Sequence, residues 1–257
     1  MKIGTLFLCR YSSSRLPGKI LKPLGDKPIL QHIYNKLLLV VPKETIYVTT
    51  SVESSDDIIE DYCNKHGINC YRGDLVNLSK RFLSAAKDLD FDFVTRINGD
   101  APFINMNMYA KMLVACRTNK FDFISNVNNR TFPVGMSAET LRVSFYEEIQ
   151  PQIQTDPHFY EHVTSYLYAN QDIGRRYYLY NTRYPELNEL HLAIDEQKDY
   201  ELAQRIVQKL GDTYYYADFE DYCDAIKKIK ADYENEGIEW THTFSRKELL
   251  SHSKVKK

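Results

Sequence analysis

The 257-residue chain has no Cys-x-x-Cys pair; its 5 cysteines, Cys9, Cys63, Cys70, Cys116 and Cys223, are scattered singly. That spacing offers neither a zinc site nor a disulfide framework, and reduced thiols fit a cytoplasmic protein. An excess of charge of one sign is also lacking. The 33 Lys and Arg face 35 Asp and Glu, a formal net of −2, so a basic nucleic-acid binder is not expected. No apolar run nears the roughly 20 residues needed to cross a bilayer. The longest, at 37–41, belongs to a short helix. The apolar opening, Ile3 to Cys9, runs into Arg10 without a small-residue cleavage site and reads as a strand, not a signal peptide. With 10 Gly and 9 Pro, the chain has no Gly/Ser-rich hinge, and 43% hydrophobic residues exclude global disorder.

Short apolar runs alternate with helical patterns through the first 126 residues. Strands are expected at Ile3 to Cys9, Thr45 to Thr50, Cys70 to Arg72, Phe93 to Asn98 and Phe121 to Asn126. Helices are expected at Ile29 to Leu38, from Ser55-Asp56-Asp57 to Gly67, at Leu78 to Leu89 and at Met106 to Arg117. This alternation predicts an α/β fold, a mainly parallel sheet with helices on both faces. Beyond Asn128 the rhythm breaks. Pro133 to Arg142 and Tyr177 to Tyr180 read as extended, with a helix around Tyr160 to Ala169 between them. Leu192 to Ile194 reads as a strand and Gln197 to Leu210 as a helix. The remainder is helical, polar and rich in the chain's 20 tyrosines, and 254–257 reads as a frayed tail.

Ligands of such sheets bind at the carboxyl ends of the strands. The loop after the first strand holds Arg10, Ser12, Ser13, Ser14, Arg15, Gly18 and Lys19. Residues 1–25 carry five cations and no carboxylate; the first acid is Asp26. Crowded, unneutralised cations with hydroxyl donors and a glycine predict a polyphosphate cradle, the alternative being a solvated basic loop. No Gly-x-Gly-x-x-Gly follows the strand. Gly18-Lys19 is not a P-loop either, because Ile20 stands where Ser or Thr would be needed.

Asp100, after Asn98-Gly99, ends another strand and projects toward the same cleft; beside a phosphate cradle it suits Mg²⁺, and otherwise it is a turn residue before Pro102. Asp195 is either the second metal carboxylate or a helix cap. Asp90-Phe91-Asp92 precedes a strand and reads as a solvated loop.

The stretch Arg10 to Lys19 with Ile20 to Leu30 resembles the start of bacterial sugar-acid cytidylyltransferases. The SpsF-like spore-coat polysaccharide branch, related to KDO and acylneuraminate cytidylyltransferases, is the most similar. The resemblance continues through Arg72-Gly73-Asp74, Arg81, Arg96, Asp100 with Pro102, Pro133 to Glu139, Glu161-His162-Val163-Thr164 and Asp195 with Asp199. It covers about residues 1–210, with Cys9 standing where that family usually has Ala.

It implies a three-layer α/β/α sandwich of the nucleotide-diphosphosugar-transferase type with a small projecting arm at about 128–182. A catalytic domain at 1–212 would be followed by a helical extension at 213–257. It further implies CMP transfer from CTP to a small acceptor with release of pyrophosphate, in a cytoplasmic homodimer that engages neither nucleic acid nor membrane. Arg10, Ser12, Ser13, Ser14, Arg15 and Lys19 would hold the triphosphate, with Arg72 and Arg96 contacting nucleotide or acceptor. Glu139 and His162 would bind the acceptor, and Asp100 and Asp195 would hold Mg²⁺. Arg15, Lys19 and Asp100 would be catalytic. The acceptor stays open between a sugar acid and a phosphorylated molecule or phosphonate. A metal-dependent glycosyltransferase and a silent nucleotide-binding subunit with a tyrosine-rich partner surface are the rival readings.

Overall fold

The computed structural model describes residues 1–184 and 188–241. The strands, in chain order, are β1 (Ile3–Leu8), β2 (Pro23–Leu24), β3 (Lys27–Pro28), β4 (Ile46–Ser51), β5 (Cys70–Gly73), β6 (Phe93–Asn98), β7 (Phe123–Ser125), β8 (Ala138–Arg142) and β9 (Arg176–Tyr178). The α-helices are α1 (Ile29–Leu37), α2 (Asp57–His66), α3 (Leu78–Asp88), α4 (Met106–Arg117), α5 (Val143–Glu148), α6 (Gln150–Ile153), α7 (Pro157–Glu161), α8 (Ser165–Ala169), α9 (Gln197–Leu210) and α10 (Phe219–Glu236).

β2 and β3 form a two-residue hairpin; the other strands make one sheet in the order β5-β4-β1-β6-β8-β7-β9. Every pairing within it is parallel except the two made by β8. β1 lies between β4 and β6, the point where the strand order reverses, and such a reversal opens a crevice at the carboxyl ends. The strands are apolar on both faces because both are covered. Phe7 faces a core shared with α1, α2, α4, α9 and α10. Leu6 and Leu8 face a second core shared with α3, α5 and α8. The result is the three-layer sandwich.

The segment expected as a projecting arm is built differently. β8 inserts antiparallel between β6 and β7, and β9 extends the sheet beside β7. The extended segments between 128 and 180 therefore find partners within the chain. The one expected helix over Tyr160 to Ala169 is two short ones, α7 and α8. The strand expected at Leu192 to Ile194 is only a bridge: Val134 pairs with His191, Leu192 N donates to Val134 O at 2.8 Å, and Ile194 N donates to Asp100 O at 2.9 Å. Gly135 makes this approach possible, since a Cβ there would lie 2.4 Å from Ala193 N.

The tyrosines after Leu210 mostly turn inward. Tyr214, Tyr222 and Tyr233 are buried in the core that contains α1 and α4, and Tyr214 OH donates to Pro102 O at 2.6 Å. Tyr216 alone among them is strongly exposed. The expected frayed tail at 254–257 lies outside the described residues.

Lys36 of α1 is 1% exposed, donates to Tyr222 OH at 2.8 Å and stands over the Tyr214 ring. Burial pushes its ammonium down to about 7. The unfolded chain therefore binds more protons than the folded one from about pH 7 to the ordinary lysine value. Over that window stability rises with pH by about 1.4 kcal/mol per unit. Lys36→Met removes the titrating group. It should be more stable than wild type at pH 6, and urea unfolding at pH 6 and pH 9 should show that advantage shrinking. A constant difference between the two pH values would contradict the assignment.

Candidate active site

A cleft of about 520 Å³ opens at the carboxyl ends of β1 and β6. Its cations are Arg10, Arg15, Lys19, Arg81 and Arg96, and its acids are Asp100, Asp195 and Glu161. One wall is the basic loop, which a buried carboxylate anchors. Asp56 accepts from Tyr11 N at 2.6 Å and from Ser51 N at 3.0 Å. Burial works to raise its carboxyl, but hydrogen bonds from Ser51 and Tyr11 outweigh that and hold it below the ordinary range. Asp56 stands at the N-cap of α2, as expected, but its side chain ties the loop to β4 and makes no capping bond. Within the loop, Ser13 N and Gly18 N both donate to Tyr11 O at 2.9 Å.

Lys19 stands at the centre. Its Nζ lies 3.2 Å from Asp100 Oδ2 and 3.2 Å from Asp195 Oδ1, and donates to Ile194 O at 2.6 Å. Arg15 Nη2 reaches Asp195 Oδ1 at 2.8 Å. Asp100 is brought in by a tight turn. Gly99 N donates to Leu8 O at 2.8 Å, and a Cβ on Gly99 would lie 2.7 Å from Cys9 Cβ. Asp195 comes from the other side through the Ile194–Asp100 backbone bond. It does not cap the following helix: the cap is Glu196, and Asp199 accepts from Asp195 N at 3.0 Å and Glu196 N at 2.8 Å. Asp100 Oδ1 is buried and has no hydrogen-bond partner among the described residues. Two carboxylates already sharing one cation, with a further oxygen uncommitted, form a donor set that a hard cation could use.

The second wall comes from the opposite face of the sheet. It includes Leu75, Val76, Arg81, Arg96, Glu161 and His162. Arg81 is 3% exposed; among the described residues it donates only to Asp74 O, at 3.2 Å, and its Nε has no partner. Burial lowers the affinity of its guanidinium for the proton. A buried guanidinium without a carboxylate in ion-pair range is costly unless an anion arrives. His162 stands on the rim; partial burial, then the charges of His158 and Arg96, hold its imidazole below the ordinary histidine range.

Of the residues expected at a site, Arg10, Ser13, Ser14, Arg15, Lys19, Arg96, Asp100, His162 and Asp195 line this cleft. Three do not. Ser12 is exposed outside the lining. Arg72 points away, paired with Asp57 at 2.7 Å and Glu60 at 2.8 Å on α2, because β5 is the sheet edge beside that helix. Glu139 is buried beneath the cleft surface with both oxygens engaged by protein groups. Arg81, part of the resemblance but given no site role there, also lines the cleft. Its sequence signal is a lone arginine in the apolar stripe Phe82, Ala85, Ala86 of α3.

Fold and cleft together define the class: an α/β nucleotidyltransferase-type sandwich with its site at the strand-order reversal. The chain belongs to the cytidylyltransferase family, whose family model matches residues 5–237 and so runs through α10. Among similar proteins is the spore coat polysaccharide biosynthesis protein SpsF of Bacillus subtilis, 26% identical over 207 residues, 79% of this chain and 85% of that protein. A solved cytidylyltransferase from Leptospira borgpetersenii superposes with a TM-score of 0.80 at 30% identity, covering 96% of this chain and all of that one. The structure of CMP:2-keto-3-deoxy-manno-octonic acid synthetase complexed with CTP shares the fold at a TM-score of 0.62 and 17% identity, covering 81% of this chain and 99% of that one.

Proposed function

We propose that this protein transfers the cytidylyl group of CTP to an anionic small acceptor, a sugar acid destined for surface polysaccharide, and releases pyrophosphate. The observation that carries this reading is the meeting of the basic loop with Asp100 and Asp195 in one cleft. An acceptor oxygen would attack the α-phosphorus in line; the new P–O bond forms as the bond to the β-phosphate oxygen breaks. Such a reaction needs positioning and charge neutralisation more than covalent help. Arg10, Arg15 and Lys19 supply charge for the triphosphate, with Ser13 and Ser14 as hydroxyl donors. Asp100 and Asp195 would hold Mg²⁺, and Asp100 Oδ1, buried without a partner, fits that role. The ion would neutralise charge on the phosphates as pyrophosphate departs.

With Arg10, Arg15 and Lys19 given to the triphosphate, Arg81 and Arg96 against Glu161 remain on the second wall, which favours an acceptor that is itself an anion. A phosphorylated molecule or phosphonate therefore remains the second acceptor class. The reading places the protein in the cytoplasm as a homodimer. Of the strands between 128 and 180, β8 is paired on both sides within the chain, whereas β9 is the edge of the sheet and offers its outer side for pairing.

A pyrophosphate-release screen tests the proposal. Each nucleoside triphosphate is offered with sugar acids, sugar phosphates and phosphonates. Release is expected with CTP and one of these classes. Tight CTP binding in calorimetry without turnover on any of them would instead point to a silent binding subunit. Absence of CTP binding would remove the reading altogether.

A further inference from the structure

One buried carboxylate joins the two elements that form the second wall of the cleft. Glu139 of β8 faces Arg96 of β6 in the antiparallel register and is 1% exposed. Its Oε2 accepts from Arg96 Nε at 2.8 Å and lies 2.5 Å from Nη2. Its Oε1 accepts from Thr164 Oγ1 at 2.8 Å and from Tyr168 OH at 2.9 Å. Tyr168 OH in turn shares a 2.6 Å hydrogen bond with Ser125 Oγ of β7. The carboxylate thus clamps the sheet with one oxygen and the turn before α8 with the other.

Both clamped elements lead into the cleft, and Glu139 itself does not. Arg96 lines it, and Nη1 donates to Asn98 Oδ1 at 2.9 Å. A guanidinium has five N–H groups, so its η nitrogens keep donors beyond these bonds. Burial works against the Arg96 charge, but Glu139 beside it outweighs that and keeps the group protonated. Thr164 follows His162 by two residues, and His162 and Glu161 line the same wall. Arg96 pairs in register with Leu6, so it projects from the sheet face opposite the one against which Lys19 and α9 lie. The wall made by Arg96 and His162 is therefore separate from the loop that carries Arg10, Arg15 and Lys19.

We infer that Glu139 is a positioning residue, holding Arg96 and the His162 turn in register so that together they read an oxyanion on the acceptor. The inference rests on the cytidylyl-transfer reading above. A forked guanidinium fixed on one edge presents its remaining N–H groups with little rotamer freedom left to lose, which suits a carboxylate or a phosphate.

Two variants test it in the full-length protein. Thr164→Val deletes one hydrogen bond and leaves the ion pair intact. The double variant Arg96→Gln with Glu139→Gln removes both charges, so no buried charge is left unpaired. Pyrophosphate release is followed with CTP and either 3-deoxy-manno-octulosonate or glucose 1-phosphate, which separates a carboxylate from a phosphate acceptor. KM for the accepted probe should rise about tenfold in Thr164→Val and about a hundredfold in the double variant, with KM for CTP unchanged. An equal rise in the CTP value, or no change in either, would overturn the inference.

A second readout needs no turnover. The groups facing His162 are His158, Glu161 and Arg96. In ¹⁵N-histidine spectra its titration should move up toward the ordinary value in the double variant, which removes a facing cation. An unmoved His162 would place Arg96 outside that wall. If wild type releases no pyrophosphate with either probe, cytidylyl transfer to these acceptors fails on its own, and the His162 titration still decides whether Arg96 and His162 share one wall.

Discussion

Asp100→Asn and Asp195→Asn should each lower turnover about a thousandfold while the melting temperature stays near that of wild type. Asparagine preserves the size of each side chain and part of its hydrogen bonding, but not its charge. Were Asp195 a helix cap, asparagine would replace it almost without loss. In the structure that role belongs to Glu196 and Asp199, leaving the Asp195 carboxylate to Arg15 and Lys19. His191 Nε2 lies 3.6 Å from its second oxygen. The proposed Mg²⁺ role adds a second expectation: the variants need more Mg²⁺ for half-maximal rate, because this ion draws on few protein carboxylates and each one counts. Steady-state kinetics across a Mg²⁺ series, with thermal unfolding alongside, checks both. Near-normal turnover in Asp195→Asn would leave Asp100 as the one carboxylate of the pair with a role in the reaction.

The local elements were legible in the sequence wherever local chemistry sets them. β6, α4 and α9 begin and end where periodicity and capping residues place them, at Phe93–Asn98, Met106–Arg117 and Gln197–Leu210. The basic loop was legible for a similar reason: charge density in one short stretch needs no tertiary information. What failed was non-local. No local pattern says that β8 slips antiparallel between β6 and β7, so the strands of 128–182 read as an arm when they complete the sheet.

Arg72 lies on the edge strand β5 and Arg81 on α3 just after it, and only the seating of α3 turns Arg81 into the cleft while α2 captures Arg72. Asp195, open in the sequence between a metal carboxylate and a helix cap, shares Lys19 with Asp100. A backbone bond from Ile194 to Asp100 brings it there, not the end of a paired strand. Glu139 illustrates the same limit, since its burial depends on partners from two distant elements, β6 and α8 with the turn before it.

Lys19→Met should reduce turnover a hundredfold or more and weaken CTP binding about ten- to a hundredfold. Lys19 stands between the two carboxylates. Its ammonium, 15% exposed, is the cation that Asp100 and Asp195 share. Removing it leaves two like charges facing one cleft and deprives Ile194 O of its donor. A divalent cation added without nucleotide should then compensate in the variant and have little to offer in wild type, where the ammonium already does so. Binding to the folded state alone raises the melting temperature by mass action. Millimolar Mg²⁺ should therefore raise the melting temperature of Lys19→Met by a measurable margin and leave that of wild type nearly unchanged until CTP is present. CTP would draw the wild-type ammonium toward phosphate oxygens and free the carboxylates for the metal. Calorimetric titration of Mg²⁺ with and without CTP, on both proteins, reads this directly. An identical response in the two proteins would mean that Asp100 and Asp195 pair with Lys19 for the sake of the fold alone, and the metal assignment would fall with it.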